Sequence, residues 1–176
     1  MAIAIGAEAP DFELPATDGA SWSASDSDGA GATVVVFTCN HCPYALAWHE
    51  RIADVARDYA DRGVRVLTIN SNDAGRYPRD SFDAMKARVE REDWPMPYLH
   101  DGTQEVARAY DAKVTPDVFV LDPERTLRYR GAPDGDYDDP GQRAAWLREA
   151  LDAVLAGEEP LRAETKSVGC SIKWKA

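Results

Sequence analysis

"VVVFTCNHCPYA", residues 34–45, decides how this chain reads. The β-branched run "TVVVF" (33–37), set off by glycine upstream, is a buried strand. It ends in two of the three cysteines, with His41 between them and Pro43 after the second. Two registers compete for the start of the following helix. If Cys39 caps it, Pro43 falls at the fourth helical position, where its missing N–H removes the first intrahelical bond. Its ring would also press on the Cys39 carbonyl four residues back. If Cys42 is the cap, Pro43 is the first helical residue, where proline is favoured. The second register fits the residues better. It puts the Cys42 thiol at a helix N-terminus, where the dipole and free N–H groups favour thiolate and lower the pKa. His41 beside it could add positive charge or shuttle a proton, or be a polar loop residue. Two inert buried thiols are the plain alternative, since cysteine is among the most buried residue types.

Working outward, a helix is expected from about Pro43 to Arg62, with Trp48, Ile52, Val55 and Tyr59 on its core face and Gly63 at its C′ position. "VRVLTIN" (64–70) is the next buried strand, parallel to the first. "SNDAGRYPRD" (71–80) reads as a loop, and Asp80 or Ser81 can cap a helix through about Arg91. "MPYLHD" (96–101) is extended, and "TQEVARAYD" (103–111) is a helix with Thr103 as cap. "VTPDVFVLDPERTLRYRG" (114–131) gives two strands turning at "DPER", and residues 140–157 form an amphipathic helix. Its stripe is Trp146, Leu147, Ala150, Leu151, Val154 and Leu155. Upstream, "TDGASWSASDSDGAGA" (17–32) is turns around one short strand near Trp22. The acidic run "DGDYDD" (134–139) reads as a solvated loop without calcium-loop spacing. Trp94, Pro95 and Pro97 suit packing or the lining of a groove. The order of elements gives an α/β fold, a mixed central sheet with helices on both faces.

With 176 residues the chain supports one domain, residues 1–176, with an N-terminal strand extension and a C-terminal tail from about residue 158. A net charge of −11 argues against nucleic-acid binding. The carboxylate-rich composition would also suit a salty cytosol. No apolar run is long enough for a bilayer, so no membrane partner is expected. "MAIAIGAEAPDFEL" has no basic segment ahead of an apolar core, so the expected location is cytoplasmic. There, three cysteines point to redox chemistry or metal rather than a disulfide framework.

These features together resemble the thioredoxin superfamily, and within it the peroxiredoxin-like, AhpC/TSA-type redoxins. "GAEAPDFELPATDG" (6–19) is similar to the opening of peroxiredoxins, "FTCNHCPY" (37–44) to the active-site segment, and "VTPDVFVLD" (114–122) to the Thr-Pro loop and its strand. "TLRYRG" (126–131) looks like the partner strand, and "GCSIKWK" (169–175) like the tail of a peroxiredoxin-like subgroup. The resemblance implies a thioredoxin-like fold with a cis bond between Thr115 and Pro116, lying against the nucleophile. It places the nucleophile about five residues past the strand phenylalanine, which leads from Phe37 to Cys42. The second thioredoxin cysteine, where the peroxidatic cysteine also aligns, then falls on Ala45. The peroxiredoxin arginine falls near Pro116.

The function this implies is a thiol-dependent oxidoreductase or antioxidant redoxin. Cys42 would attack a protein disulfide or a peroxide, a second cysteine would resolve the product, and an unidentified thiol reductant would restore it. The candidate site is Cys42, Cys39, His41, Thr115, Pro116 and Cys170, with no cofactor and with oligomeric state open. As resolving thiol, Cys39 has local loop closure in its favour, since it needs no docking of the tail. Cys170 has Gly169, which permits close approach, and Lys166, Lys173 and Lys175 beside it on an acidic protein. A copper-binding chaperone using Cys39, His41 and Cys42, with His100 as a distant ligand, is an alternative reading. A non-catalytic binding module is another.

Overall fold

The computed structural model describes residues 3–25 and 30–176. An N-terminal hairpin of β1 (Glu13–Pro15) and β2 (Ser21–Ser23) precedes β3 (Ala32–Thr38), the central strand, which is buried at every residue. Then come α1 (Pro43–Tyr59), β4 (Val64–Asn70), α2 (Phe82–Arg91), β5 (Tyr98–His100) and α3 (Glu105–Tyr110). The chain closes with β6 (Val114–Thr115), β7 (Asp117–Leu121), β8 (Leu127–Gly131), α4 (Ala145–Leu155) and β9 (Cys170–Ser171).

Five strands form the main sheet, in the order β5-β4-β3-β7-β8. β3 runs parallel to β4, from Ala32 opposite Val64 to Thr38 opposite Asn70, and β4 runs parallel to β5. β7 is antiparallel to both β3 and β8. Because side chains alternate along a strand, the two faces of the sheet bury different residues. Val34, Val36, Val66, Val118, Val120 and Tyr129 pack against α1, α2 and α4. Val35, Phe37, Leu67, Ile69, Phe119 and Leu121 pack against α3, the N-terminal segment and Ile172 of the tail. The mixed sheet covered on both faces is therefore present. No helix among the described residues is long and apolar enough to cross a membrane.

Several boundaries differ from expectation, each for a local reason. α1 ends at Tyr59 and gives way to a 3-10 turn over Ala60–Arg62, with Gly63 in the left-handed region at φ 78°. α3 starts two residues late. Its cap is Gln104 at φ 68°, whose side chain is drawn to the carbonyls of Ser71 and Lys173 (2.8 and 2.9 Å). α4 starts at Ala145 because the Ala144 amide donates to Asp134 Oδ2 (2.9 Å) and residues 140–142 form a separate 3-10 turn. Asp134 is not solvated. It is buried, paired with Arg51 at 3.0 Å and accepting from Trp48 Nε1 at 2.9 Å, so the acidic run is pinned at its first residue.

The tail is bound along its length rather than free. Arg130 and Ala163, then Thr165 and Arg130, exchange backbone bonds of 3.0 Å beside β8. Ser167 Oγ donates to Asp117 Oδ1 (2.8 Å). β9 pairs antiparallel with β6, Cys170 opposite Thr115 and Ser171 opposite Val114. Beyond it Ile172 is buried, and its amide donates to the Lys113 carbonyl (3.0 Å). The Lys173 amide donates to Asn72 Oδ1 (2.9 Å), and Arg108 lies 4.6 Å over the Trp174 ring.

Candidate active site

The site forms where β3 ends and α1 begins. Cys42 is the N-cap residue, with extended backbone at φ −73° and ψ 126°, and Pro43 is the first helical residue. The first bond of the helical ladder runs from the Leu46 amide to the Cys42 carbonyl (2.9 Å). Proline therefore sits where no N–H is missed. Across from the cap lies the Thr115–Pro116 loop, whose peptide bond is cis. Cys42 in its thiol form donates to the Thr115 carbonyl at 3.4 Å, and Cys39 Sγ lies 3.4 Å from Thr115 Oγ1.

Pairing of β9 with β6 brings the third cysteine to the same place. Cys39, Cys42 and Ala45 form one buried cluster, with Cys170 and Tyr44 packed on it. Cys39 and Cys42 are each only 1% exposed, whereas Cys170 is half-buried. All three thiols of the chain are free and meet at one helix N-terminus.

Their acidities are pulled far apart. The hydrogen bond from the Cys39 thiol, followed by those from Cys170, the Ala45 amide and the Thr115 hydroxyl, lowers Cys42 from an ordinary 9.0 to about 4. Burial opposes this, as does the Thr115 carbonyl, which favours the thiol form. Four donors outweigh them. No side-chain hydrogen bond of Cys42 caps the helix by geometry. Cys39 is pushed well above its usual range, first by donating to Cys42 and then by burial. Burial and the bond to Cys42 push Cys170 up to about 11. Cys42 is thus the most acidic of the three thiols.

The loop behind the cysteines is held by a network that the sequence reading did not assemble. Buried Asp80 accepts from the Asn40 amide (2.7 Å), Asn70 Nδ2 (3.0 Å) and Asn72 Nδ2 (3.0 Å). His41 Nδ1 stands 2.6 Å from Asp80 Oδ2, and its ring stacks on Tyr77 with centroids 5.8 Å apart. His41 is thus aimed at Asp80. Buried Arg88 donates to the Cys39 carbonyl (2.9 Å) and Asn40 Oδ1 (3.1 Å), and its guanidinium lies 4.6 Å over Trp94. Trp94 itself stacks on Tyr98 at 4.4 Å and lies tilted against His49 at 4.2 Å, so it is a packing residue rather than a groove wall. Of the two expected caps, Asp80 and Ser81, it is Ser81 that caps α2, through the Ala84 amide (3.1 Å). The run "NSND" (70–73) directly after β4 was the available signal, since polar residues at the end of a buried parallel strand need partners.

Among the described residues, Cys39, His41 and Asp80 bring potential metal donors within 4.8 Å of one another. This set exchanges Cys42 for Asp80 relative to the expected copper ligands. Three nitrogen donors already occupy Asp80. His100 lies apart, against Phe82 and with Nδ1 3.4 Å from Met85 Sδ.

The AhpC/TSA family model matches residues 5–130. No curated protein matches the sequence. Among solved structures, a hypothetical protein of Sinorhizobium meliloti 1021 is 39% identical over 100% of this chain and 97% of its own, with a TM-score of 0.93. An uncharacterized conserved protein of Geobacillus kaustophilus is 42% identical over 98% of this chain and 93% of its own, with a TM-score of 0.92. The peroxidoxin BcpB of Mycobacterium tuberculosis shares the fold at 20% identity, with a TM-score of 0.63 over 87% of this chain and 96% of its own. The fold is thioredoxin-like, and the match supports thiol-based redox function. With the model spanning its strand, its cysteine segment and its Thr-Pro loop, the chain belongs to the AhpC/TSA family.

Proposed function

We propose that the protein is a thiol-dependent oxidoreductase in which Cys42 is the nucleophile toward a disulfide or a peroxide. The observation that carries this reading is the N-cap position of Cys42, with Cys39 and Cys170 clustered on it, a setting that lowers its pKa to about 4. With a disulfide, the Cys42 thiolate attacks one sulfur, a mixed disulfide forms and the other sulfur leaves as thiolate. With a hydroperoxide, it attacks the terminal oxygen, the O–O bond breaks, and the alkoxide leaves and takes a proton from water. A second cysteine thiol then attacks the Cys42 sulfur. It loses its proton, displaces thiolate or water, and closes an intramolecular disulfide. An external thiol reductant reopens it.

Both neighbouring cysteines are in reach of this step. Cys39 was favoured because tail docking would be an added entropic cost. With the tail already held as part of the fold, that cost falls away, and Cys170 offers the more accessible sulfur. Thr115 and Pro116 supply the wall against Cys42, and His41, set on Asp80, steadies the loop. A reducing cytoplasm is the proposed setting. The test compares peroxide consumption and disulfide reduction by the native chain and Cys42→Ser. Loss of both in the variant supports the reading, and equal rates contradict it.

A further inference from the structure

The backbone edge beside Cys42 is already occupied. β6 is a two-residue strand directly before Pro116, and the carbonyl of its second residue, Thr115, faces the Cys42 sulfur. An extended peptide pairing on this edge would carry its side chains to that sulfur, as strand addition does on any open edge. Here the chain's own residues hold the position. Cys170 lies opposite Thr115 and Ser171 opposite Val114. The third thiol stands where the sulfur of an incoming protein disulfide would have to stand.

The fit is close enough to constrain the sequence. A Cβ on Gly169 would collide with the carbonyl oxygen of Thr115, the same atom that accepts from Cys42. On the far side of β9, Ile172 is buried and bonded to Lys113, the Lys173 carbonyl accepts from the Asp73 amide (2.8 Å), and the Lys175 amide donates to Gln104 Oε1 (3.0 Å). On the near side, Ser167 is tied to Asp117. Moving β9 therefore breaks bonds at both ends. Turning aside the Cys170 side chain loosens its packing on the cysteine cluster but leaves these backbone bonds intact, a smaller movement that suits a small molecule and not a polypeptide backbone.

Resting on the reading of Cys42 as nucleophile, we infer that the docked C-terminal strand restricts the site to small oxidants, hydroperoxides or low-molecular-weight disulfides, by filling the edge that a protein disulfide would need. The chemical steps are those already given: Cys42 gives up the electron pair, the small oxidant accepts it as its O–O or S–S bond breaks, and the external thiol restores the cysteines. Gly169, Cys170 and Ser171 then determine specificity, since they admit substrates by size.

The experiment separates access from chemistry. Access is read by labelling Cys42 with iodoacetamide and with a polyethylene-glycol maleimide, located by peptide mass. Chemistry is read with hydrogen peroxide, oxidised glutathione and insulin as oxidants and dithiothreitol as reductant. The native chain should label with iodoacetamide, resist the bulky maleimide and turn over a small oxidant far faster than insulin. Gly169→Val should release β9, seen as faster hydrogen exchange of the Ile172 amide. It should raise bulky labelling and insulin reduction about tenfold or more, the equivalent of one or two net hydrogen bonds lost from the closed form. Cys170→Ser keeps the strand and should keep the bulky reagent out. If Gly169→Val does not fold, Ile172→Ala loosens the same strand from its other end. Bulky labelling of the native chain as fast as small labelling would overturn the inference, as would a released strand with no gain in bulky access. Full turnover by Cys42→Ser would instead remove the nucleophile and leave the labelling result standing.

Discussion

The two segments that meet at Cys42 are built by different rules. Residues 39–43 take their path from local rules, a strand that has just ended and a cap with proline in the first helical position, and are then tied down by the distant Asp80 and Arg88. Residues 169–171 have no helical or strand periodicity of their own. They are shaped by where they land, on β6, with Gly169 pressed on Thr115 and Ile172 in the core. The local segment places the Cys42 sulfur at the helix cap. The distant one sets what can reach it. A helix cap can thus be found from a few residues of sequence, while the neighbourhood that gathers on it cannot.

The largest expected effect breaks the local segment. Cys42→Ser should lower turnover of peroxide or small disulfide by about 100-fold or more, because no other thiol in the cluster is ionised near neutral pH. Cys39→Ser and Cys170→Ser, assayed beside it, show by their smaller losses which thiol resolves. Non-reducing peptide mapping after mild peroxide treatment identifies the link directly.

Next comes the support behind the loop. Asp80→Ala removes a fully buried carboxylate, strands the Asn40 amide and the Asn70 and Asn72 side chains, and frees His41. Denaturant unfolding should show a loss of about 3–5 kcal/mol, the range for breaking buried charged networks. On the tail side, Ile172→Ala should cost about 2–4 kcal/mol as a large-to-small core change. It should also speed exchange of amides in β9 ahead of those in β3, because only the tail depends on that side chain. Arg62→Ala is the control. Its pairing with Asp152 at 3.1 Å joins two half-exposed groups, and its loss should change stability by less than about 1 kcal/mol.

Much of the frame could be read from sequence because it follows from local grammar. Alternating burial of Val34, Val35, Val36 and Phe37 follows from a β-branched run in a two-sided sheet, and Pro43 fixes the helix start. Residues whose roles depend on distant partners escaped. Asp80 sits next to a helix start and looks like a cap until Asn40, Asn70 and Asn72 are seen converging on it. Arg88 looks like a surface residue of α2, yet it reaches the Cys39 carbonyl under a cover of Trp94. Asp134 opens an acidic run that looks solvated, and Arg51 lies more than 80 residues before it, bonded at 3.0 Å. Gly169 was legible as a point of close approach, but not its target. A β6–β9 pairing of two residues leaves no pattern in either segment.

The central claim is that Cys42 is the ionised thiol and Cys39 and Cys170 are not. Alkylation by iodoacetamide, followed cysteine by cysteine across pH, tests it most directly. With Cys42 lowered to about 4, its rate should be nearly level from pH 6 to pH 9 and fall only as the pH drops through 4. The same depression means that ionised Cys42 stabilises the fold fully above its unfolded pKa near 9. That contribution is lost progressively as pH falls toward 4. Cys170, raised to about 11, should react appreciably only in alkali, and its protonated form stabilises the fold below pH 9 and loses that effect as pH rises toward 11. A Cys42 rate that climbs steadily between pH 7 and pH 10, or a faster rate at Cys39 or Cys170 near neutrality, would contradict the assignment.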